Sequence, residues 1–304
     1  MAVYEQTYKR YAGKLTPEWS RFLVIPRHAF RDVFKSKLFT AFYVICFVPV
    51  LVEAILIYLH HNVNALAILQ VNVRELLPID ASFFQTFVNI SGSLGFFVVL
   101  LVGPPLVARD LRNNALPLYL CRPFTRAEYV LGKMSVLLIL LSGITWVPQL
   151  LLFALQAYLQ GGGWFTSNLY LAMAIVIGSG VWILLLALMS QAISALVKWR
   201  IVASGALLGL FFIPSVFGEI VNQIFRTRWG SVISLNANMT NVTAGLFGTF
   251  QRVTNFVVEM DGETITRASL SEPPLWVSWF VLFFVCAVCL ALLSWKVKAY
   301  EVVK

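Results

Sequence analysis

Long apolar runs separated by shorter polar segments dominate the pattern along the chain. Each of six runs has about 20 or more residues, the length that a helix needs to cross a hydrocarbon core of about 30 Å. The third run is longer than one bilayer thickness, so we expect it to tilt or to extend beyond the membrane. The pattern predicts an all-α polytopic membrane protein with six transmembrane helices. The runs lie at about residues 38–59, 84–107, 125–160, 168–197, 201–220 and 275–295.

The polar segment that precedes the first run, residues 1–37, contains an amphipathic pattern. Thr16 and Pro17 predict a helix start, and Pro26 predicts a kink or a split. Apolar residues recur at helical spacing on one face, and basic residues recur every four positions on another. Such a helix lies in the membrane interface with its basic face toward the lipid headgroups. The residues that define this interface helix are Trp19, Phe22, Arg27, Arg31 and Lys35.

A large polar region, residues 221–274, separates the fifth run from the sixth. Its mildly apolar middle, 239–258, predicts short helices that dip toward the membrane. Asp261-Gly262 is a two-residue turn signal between two short runs and predicts a β-hairpin. Asn238 begins an N-x-S/T pattern, which is an acceptor for N-linked glycosylation.

Composition agrees with this architecture and indicates its orientation. Of the 304 residues, 59% are hydrophobic and 12% are charged, whereas about 25% are charged in a soluble domain. The net charge is +9, and most of the 23 Lys and Arg residues lie in segments 1–37, 109–133, 198–200 and 296–304. The positive-inside rule makes these segments cytoplasmic, which places both termini there. Because the charge flanks the spans, we expect contacts with anionic lipid and no binding of nucleic acid.

These features divide the chain into three parts. Residues 1–37 form a cytoplasmic lead-in with the interface helix, 38–295 form the six-span membrane domain, and 296–304 form a cytoplasmic tail. Within the membrane domain, 108–128 is a cytoplasmic segment that we call the basic loop, and 221–274 lies on the opposite side.

Few charged or amide side chains fall inside the predicted spans, and each is therefore a functional hypothesis. Glu53 lies in the outer half of the first span, close enough to the interface to reach water. It would either line a substrate path or pair with an arginine on the outer side. Amide side chains more often join helices through hydrogen bonds than line a path. The residues that we consider for a substrate path are Glu53, Gln149, Gln156 and Gln191.

The chain carries no sequence signature of a catalytic or nucleotide-binding site. Gly132-Lys133 lacks the upstream glycine and the following Ser or Thr of a P-loop. Cys286 and Cys289 lie inside an apolar run, where helix packing explains them better than a metal or redox role. We therefore expect no enzymatic activity, no metal and no cofactor in this chain.

The most informative segment is the basic loop with the helix start that follows it, residues 108–133. It reads ARDLRNNALPLYLCRPFTRAEYVLGK and is rich in arginine. Pro123 ends one segment, and Thr125 with Glu128 forms a capping box. The box predicts that the next helix starts at Thr125 or Arg126. The pattern indicates a short helical element held at the cytoplasmic surface, where another protein can push on it.

This segment resembles the loop between the second and third spans of ABC-2 type permeases, the membrane subunits of one class of ATP-binding-cassette transporter. In that family the loop runs as an acid, a small-residue turn, a leucine-rich step, Arg-Pro, Ser/Thr-Arg, an acid and Leu-Gly-Lys. The family usually has Glu at the first of these positions and Gly-Thr at the second. Residues 25–39 also resemble the opening of these permeases. The matching loop positions here are Asp110, Asn114-Ala115, 116–120, Arg122-Pro123, Thr125-Arg126, Glu128 and 131–133.

The resemblance implies the permease subunit of an ABC exporter in a bacterial cytoplasmic membrane. Two copies, or this chain with a similar one, would join two ATPase subunits, and those subunits would bind the ATP and Mg²⁺. Closure of the ATPases would push the basic loop and the interface helix and so export a hydrophobic or amphipathic substrate. The residues that the resemblance implies for the ATPase contact are Arg109, Asp110, Arg112, Arg122, Pro123, Arg126 and Glu128.

Two other interpretations stay open at this point. In the first, the arginines of the basic loop only fix the topology and bind anionic lipid. In the second, a permease-like module transmits mechanical work to an extracytoplasmic partner protein, or assists its assembly, without moving a small solute. The region 221–274 would be the docking site for that partner. A membrane-embedded enzyme or channel is disfavoured, because neither a catalytic set nor a charged pore signal is present.

Overall fold

The computed structural model describes residues 24–62, 78–113, 126–197, 199–250, 255–260, 263–268 and 273–296. Six helical segments within these ranges are long and apolar enough to cross a membrane, as the sequence predicts. The chain is therefore built as a multi-pass helical membrane protein. The side of the membrane on which each terminus lies stays a prediction, as do the boundaries of the three parts. The six segments are Lys37–His61, Ala81–Ala108, Ala127–Gln160, Leu169–Leu196, Arg200–Phe225 and Leu275–Lys296.

The described residues form eleven α-helices, a short 3₁₀ turn at Trp229–Ile233 and one antiparallel hairpin. The strands of the hairpin are β1, Asn255–Met260, and β2, Glu263–Ala268. The helices are α1 Val24–Phe34, α2 Lys37–Ile45, α3 Val48–His61, α4 Ala81–Arg112, α5 Arg126–Ile144, α6 Trp146–Gln160, α7 Gly162–Ser167, α8 Leu169–Leu196, α9 Arg200–Phe225, α10 Leu235–Leu246 and α11 Leu275–Lys296.

Two of the six spans consist of two helices each, and both breaks lie just before a proline. The first span breaks at Cys46 and Phe47, and Pro49 lies in the first turn of α3. The third span breaks at Thr145, and Pro148 follows in the first turn of α6. Proline has no N–H to donate, and its ring clashes with the carbonyl four residues earlier, so the helix restarts there. The break divides the overlong third run into two shorter helices.

Helix α8 lies at the centre of the bundle and packs most extensively along α4, with further contacts to α5, α6, α9 and α11. Glycines bring the two helices together. The indole Nε1 of Trp182 donates to the carbonyl of Gly92 at 2.8 Å, and a side chain at Gly103 would collide with Ser190. Small residues at helix contacts in membranes let the backbones approach closely, which strengthens van der Waals packing.

Ser194 of α8 enters the hydrogen-bond ladder of α4 beside Pro104 and Pro105. Its hydroxyl donates to the carbonyl of Pro104 at 2.7 Å and accepts from the N–H of Ala108 at 2.8 Å. In a regular α-helix these two backbone groups, four residues apart, bond directly to each other. The hydroxyl therefore links these two backbone groups beside the proline pair, and α4 continues to Arg112.

The chain after α9 folds back onto the bundle. Helix α9 ends at Arg226, which has a left-handed backbone conformation with φ of 47°. The 3₁₀ turn then packs along α9, and α10 packs against α11, α8 and α9. Gly218 of α9 and Gly230 of the turn are so close that a methyl group on either would collide with the backbone of the other. The side chain of Asn222 fixes this approach, because its Oδ1 accepts from the N–H of Gly230 at 2.7 Å.

The predictions for residues 221–274 have different outcomes. The hairpin is confirmed, with Met260 opposite Glu263 across the turn. The short helices predicted within 239–258 are only partly right, since α10 begins at Leu235 and strand β1 occupies the end of that range. The cause is Ser234, whose hydroxyl caps the helix by accepting from the N–H of Ala237 at 3.2 Å.

Asn238 holds the start of α10 in place. It is buried, and its amide Nδ2 donates to the carbonyls of Val232 and Ser234, each at 2.8 Å. A glycan cannot be attached to a side chain in this position. Its N-x-S/T pattern is therefore not a glycosylation site in the folded protein, and the asparagine serves the fold.

The close approach of Gly218 and Gly230 predicts a specific loss of stability. Gly218→Ala is expected to lower the free energy of unfolding by about 1–3 kcal/mol, because the methyl group must displace the backbone at Gly230. Gly205→Ala in the same helix is the matched control, since nothing lies within 4 Å of a methyl group there. Thermal unfolding in detergent, followed by tryptophan fluorescence, measures both variants. Equal melting temperatures for the two would contradict the packing described here.

Candidate functional site

An ion pair joins the end of α4, inside the basic loop, to the start of α5 just after it. Lys133 Nζ lies 2.9 Å from Asp110 Oδ2, and the Tyr129 hydroxyl donates to the same carboxylate oxygen at 2.8 Å. Tyr129 and Lys133 are four residues apart in α5, so their side chains share one face. We call Asp110, Tyr129 and Lys133 the loop clamp.

Tyr129 and Lys133 are buried and Asp110 is half-buried, so the members of the loop clamp depend on one another. Tyr129 is 1% exposed and Lys133 is 8% exposed. The ammonium of Lys133 lies 5.8 Å from the centre of the Tyr129 ring, within the range of a cation–π contact. Removing a charge from water carries a large desolvation cost, and only a close opposite charge with good hydrogen bonds offsets it. The clamp therefore fixes the distance between the two helix ends.

The residues predicted to contact an ATPase do not share one environment. Asp110 is turned inward to Lys133 and Tyr129, whereas Arg112 is exposed and Glu128 is half-buried. The described part of α5 begins at Arg126, and the helix start that the capping box predicts stays a prediction, because the residues just before Arg126 lie outside the described ones. Outside the described side chains lie Arg109, Arg122, Pro123 and Arg126. The ATPase contact itself stays a prediction, and Asp110 now has an internal partner that the sequence did not reveal.

The interface helix is present as α1, which packs against α5 next to the loop clamp. Ile25 and Pro26 are its buried residues. Pro26 lies near the start of the described part of α1, and the kink or split predicted there stays a prediction, because the residues before Val24 lie outside the described ones. The basic residues of the predicted polar face are exposed: Arg27, Arg31 and Lys35. The other members of the prediction lie outside the described residues: Thr16, Trp19 and Phe22.

A second polar site lies inside the membrane domain, where α3 packs against α6. The amide Nε2 of Gln149 donates to Glu53 Oε2 at 2.7 Å, and both residues are 0% exposed. Glu53 Oε1 and Gln149 Oε1 have no hydrogen-bond partner. The expectation that Glu53 reaches water is wrong, because α6 covers it. Its partner is an amide of another span and not an arginine of the outer side.

The remaining candidates for a substrate path separate into two places. Gln156 is buried, and its Nε2 lies 3.4 Å from Gln160 Oε1. Gln160 Oε1 is in turn 2.9 Å from His61 Nε2 at the end of α3. Gln191 of α8 is 1% exposed, and neither its Nε2 nor its Oε1 has a partner. The four residues therefore do not line one continuous path through hydrogen bonds, although Glu53 and Gln149 do form a pair.

Models of known protein families do not match this chain, and no curated protein matches it significantly in sequence. The described residues also contain no group of three or more His, Cys, Asp and Glu side chains that is suited to a metal ion. The argument for a function therefore rests on the geometry of the chain and on the resemblance of the basic loop.

Sequence reasoning missed the part that Lys133 and Tyr129 play. Both follow the capping box by a few residues, and their spacing of four places them on one face of the helix. A lysine in the first two turns of a membrane span is costly unless an acid faces it. Asp110 lies in the last turn of the preceding helix, and this pair of opposite charges at two helix ends was the signal that the sequence offered.

The loop clamp predicts a large loss of stability when one charge is removed. Lys133→Met or Asp110→Asn is each expected to lower the free energy of unfolding by about 3 kcal/mol, because the other charge stays buried without its partner. The double variant should recover part of this loss. Lys35→Met is the control, since the Lys35–Asp32 pair is solvent-exposed and such pairs contribute less than about 1 kcal/mol. Denaturant titration in mixed micelles measures all four variants, and additive losses would refute the coupling.

For the Glu53–Gln149 pair we expect that replacing one residue by leucine destabilises the protein and that replacing both does not. Glu53→Leu alone is expected to lower the free energy of unfolding by about 1–3 kcal/mol, because the amide of Gln149 loses its acceptor. Glu53→Leu with Gln149→Leu should be as stable as the natural chain, since neither leucine needs a partner. The same titration tests this. A double variant weaker than the single one would mean that the pair itself stabilises the fold.

Proposed function

We propose that this chain is the permease subunit of an ABC exporter. Its termini and the basic loop lie in the cytoplasm, and ATP hydrolysis takes place in two separate ATPase subunits that hold the ATP and Mg²⁺. Two permease copies, or this chain with a similar one, form the membrane part. The substrate is hydrophobic or amphipathic, in keeping with the apolar character of the spans.

The loop clamp is the observation that carries the proposal. A cytoplasmic segment that receives a push transmits it only if its two ends are fixed to rigid elements. Asp110 and Lys133 meet this condition, because they join the last turn of α4 to the start of α5 at 2.9 Å in a buried setting. A segment whose arginines only fixed the topology would have no need of such a junction. The clamp therefore favours transmission of force over simple anchoring.

The packing around the clamp extends the same mechanical unit. Helix α1 packs on α5, and the hydroxyl of Tyr43 in α2 donates to the carbonyl of Leu140 in α5 at 2.9 Å. A displacement of α5 would therefore move α1, α2 and the end of α4 together. The break at Thr145 separates this unit from α6. Rotation about that break would change the position of α6 relative to this unit, while α1, α2, α5 and the end of α4 move as one rigid body.

Co-purification with an ATPase tests the proposal directly. The chain is co-expressed with the ABC ATPase encoded nearest to it and purified in mild detergent. Arg122→Glu with Arg126→Glu is expected to abolish the complex, because two positive charges at the contact become negative. The permease should keep its melting temperature, since neither residue belongs to the loop clamp.

A charge-matched control distinguishes a local contact from a general effect of charge. Arg226→Glu with Arg228→Glu changes the same number of charges in the region 221–274, which the topology places on the other side of the membrane. This variant should retain the complex. If no ATPase binds, or if both double variants bind alike, the proposed coupling role of the basic loop is wrong.

A further inference from the structure

A cavity of about 220 Å³ lies between α4, α8 and α10, near the middle of the two spans that contain α4 and α8. Three helices contribute residues at helical spacing, and the break between α5 and α6 contributes Thr145. The polar residues around it are uncharged: Asn89, Ser93, Thr145, Ser179, Asn236, Thr240 and Thr243. Among the described lining residues none carries a charge, and the apolar wall includes the indole of Trp182.

The cavity has an open mouth and a closed back. Ser93, Asn236 and Thr240 are exposed and lie at the mouth. Thr145 and Ser179, each 2% exposed, lie at the back. A small molecule that enters from the mouth therefore reaches hydroxyl groups that are removed from the surrounding solvent or lipid.

The hydrogen bonds within the protein show which groups of the cavity lining remain able to bind a ligand. The hydroxyls of Ser93 and Thr240 donate to carbonyls of their own helices at 2.9 Å and 3.0 Å. Thr145 does the same at 2.7 Å. Each hydroxyl proton is thus used, and each oxygen keeps lone pairs that can accept from a ligand. These three hydroxyls therefore offer acceptors to a ligand.

Ser179 provides an independent observation, because its hydroxyl has no hydrogen-bond partner. A buried polar group without a partner costs about 1–3 kcal/mol, so a ligand that bonds to it gains that amount. Trp182 cannot supply the missing bond, since its Nε1 donates to Gly92. The volume equals that of about seven water molecules at about 30 Å³ each. The cavity therefore has room for one small organic molecule.

We propose that this cavity binds a small uncharged polyol of about the size of glycerol. Hydroxyl groups of the ligand would donate to the oxygens at the mouth and accept from Ser179, and its C–H groups would pack on Trp182. Ions are excluded, because the cavity has no opposite charge to offset their desolvation. Helix α10 forms one wall, with Thr243 Oγ1 3.4 Å from Asn89 Oδ1. The site involves neither the basic loop nor an ATPase.

Protection of a cysteine placed in the cavity tests the proposal. Ser179→Cys is made in the full chain with its four native cysteines replaced by alanine. The rate of modification by a small neutral thiol reagent, hydroxyethyl methanethiosulfonate, is measured with rising concentrations of glycerol. The rate is expected to fall hyperbolically, by about tenfold at ten times the dissociation constant. Sucrose at matched viscosity is too large for the cavity and should not slow the reaction.

Two controls make every outcome decisive. Gly162→Cys lies in open space, and glycerol should leave its modification rate unchanged. Adding Asn89→Leu to the Ser179→Cys variant should raise the glycerol concentration needed for protection, because the mouth loses an amide. Equal slowing by glycerol and sucrose, or none by either, means that the cavity holds only water and overturns the proposal. So does a Ser179→Cys side chain that the reagent never modifies.

Discussion

The satisfaction of hydrogen bonds inside an apolar medium is the constraint on which this structure depends. Lipid offers no partner for a polar group, so a buried N–H, carbonyl, amide or acid is costly unless it finds one within the protein. The contact of α4 with α8 meets this requirement at two levels. Trp182 bonds to the backbone at Gly92, and Ser194 bonds to the carbonyl of Pro104 in α4. Glycine residues let α4 and α8 approach closely enough to form these bonds, and α5, α9 and α11 pack around the two helices.

The need to satisfy buried polar groups recurs at two other places in the bundle, where different side chains meet it. At the base, Asp110 and Lys133 neutralise each other between two helix ends. Farther along, Glu53 and Gln149 pair in the interior. These contacts join residues that are far apart in the chain. Polar side chains are therefore the specific part of the assembly, whereas the apolar surfaces supply contact without selecting a partner.

The sequence predicts the elements well, because the length of an apolar run alone decides whether a helix can cross the bilayer. It also predicts the hairpin, where a short-range signal is sufficient. The sequence did not predict contacts between residues that are distant in the chain. The burial of Glu53 depends on which helix covers α3, and the role of Asp110 depends on a lysine in the next span. The acceptors around Ser179 were partly visible, since Asn89 and Ser93 follow each other at helical spacing in an apolar span.

The pairing of Glu53 with Gln149 has a consequence for the biogenesis of the protein. The two residues are 96 positions apart, so at about 5–20 residues per second the first span waits on the order of ten seconds for its partner. During that time an acidic side chain lies in a lone helix, which costs about 2.5–3.5 kcal/mol on insertion scales. An 18-residue window within Lys37–His61 has a mean hydropathy of 2.4, high enough to retain the helix meanwhile. The apolar character of the first span thus reflects the order in which the membrane receives the helices as well as their final contact with lipid.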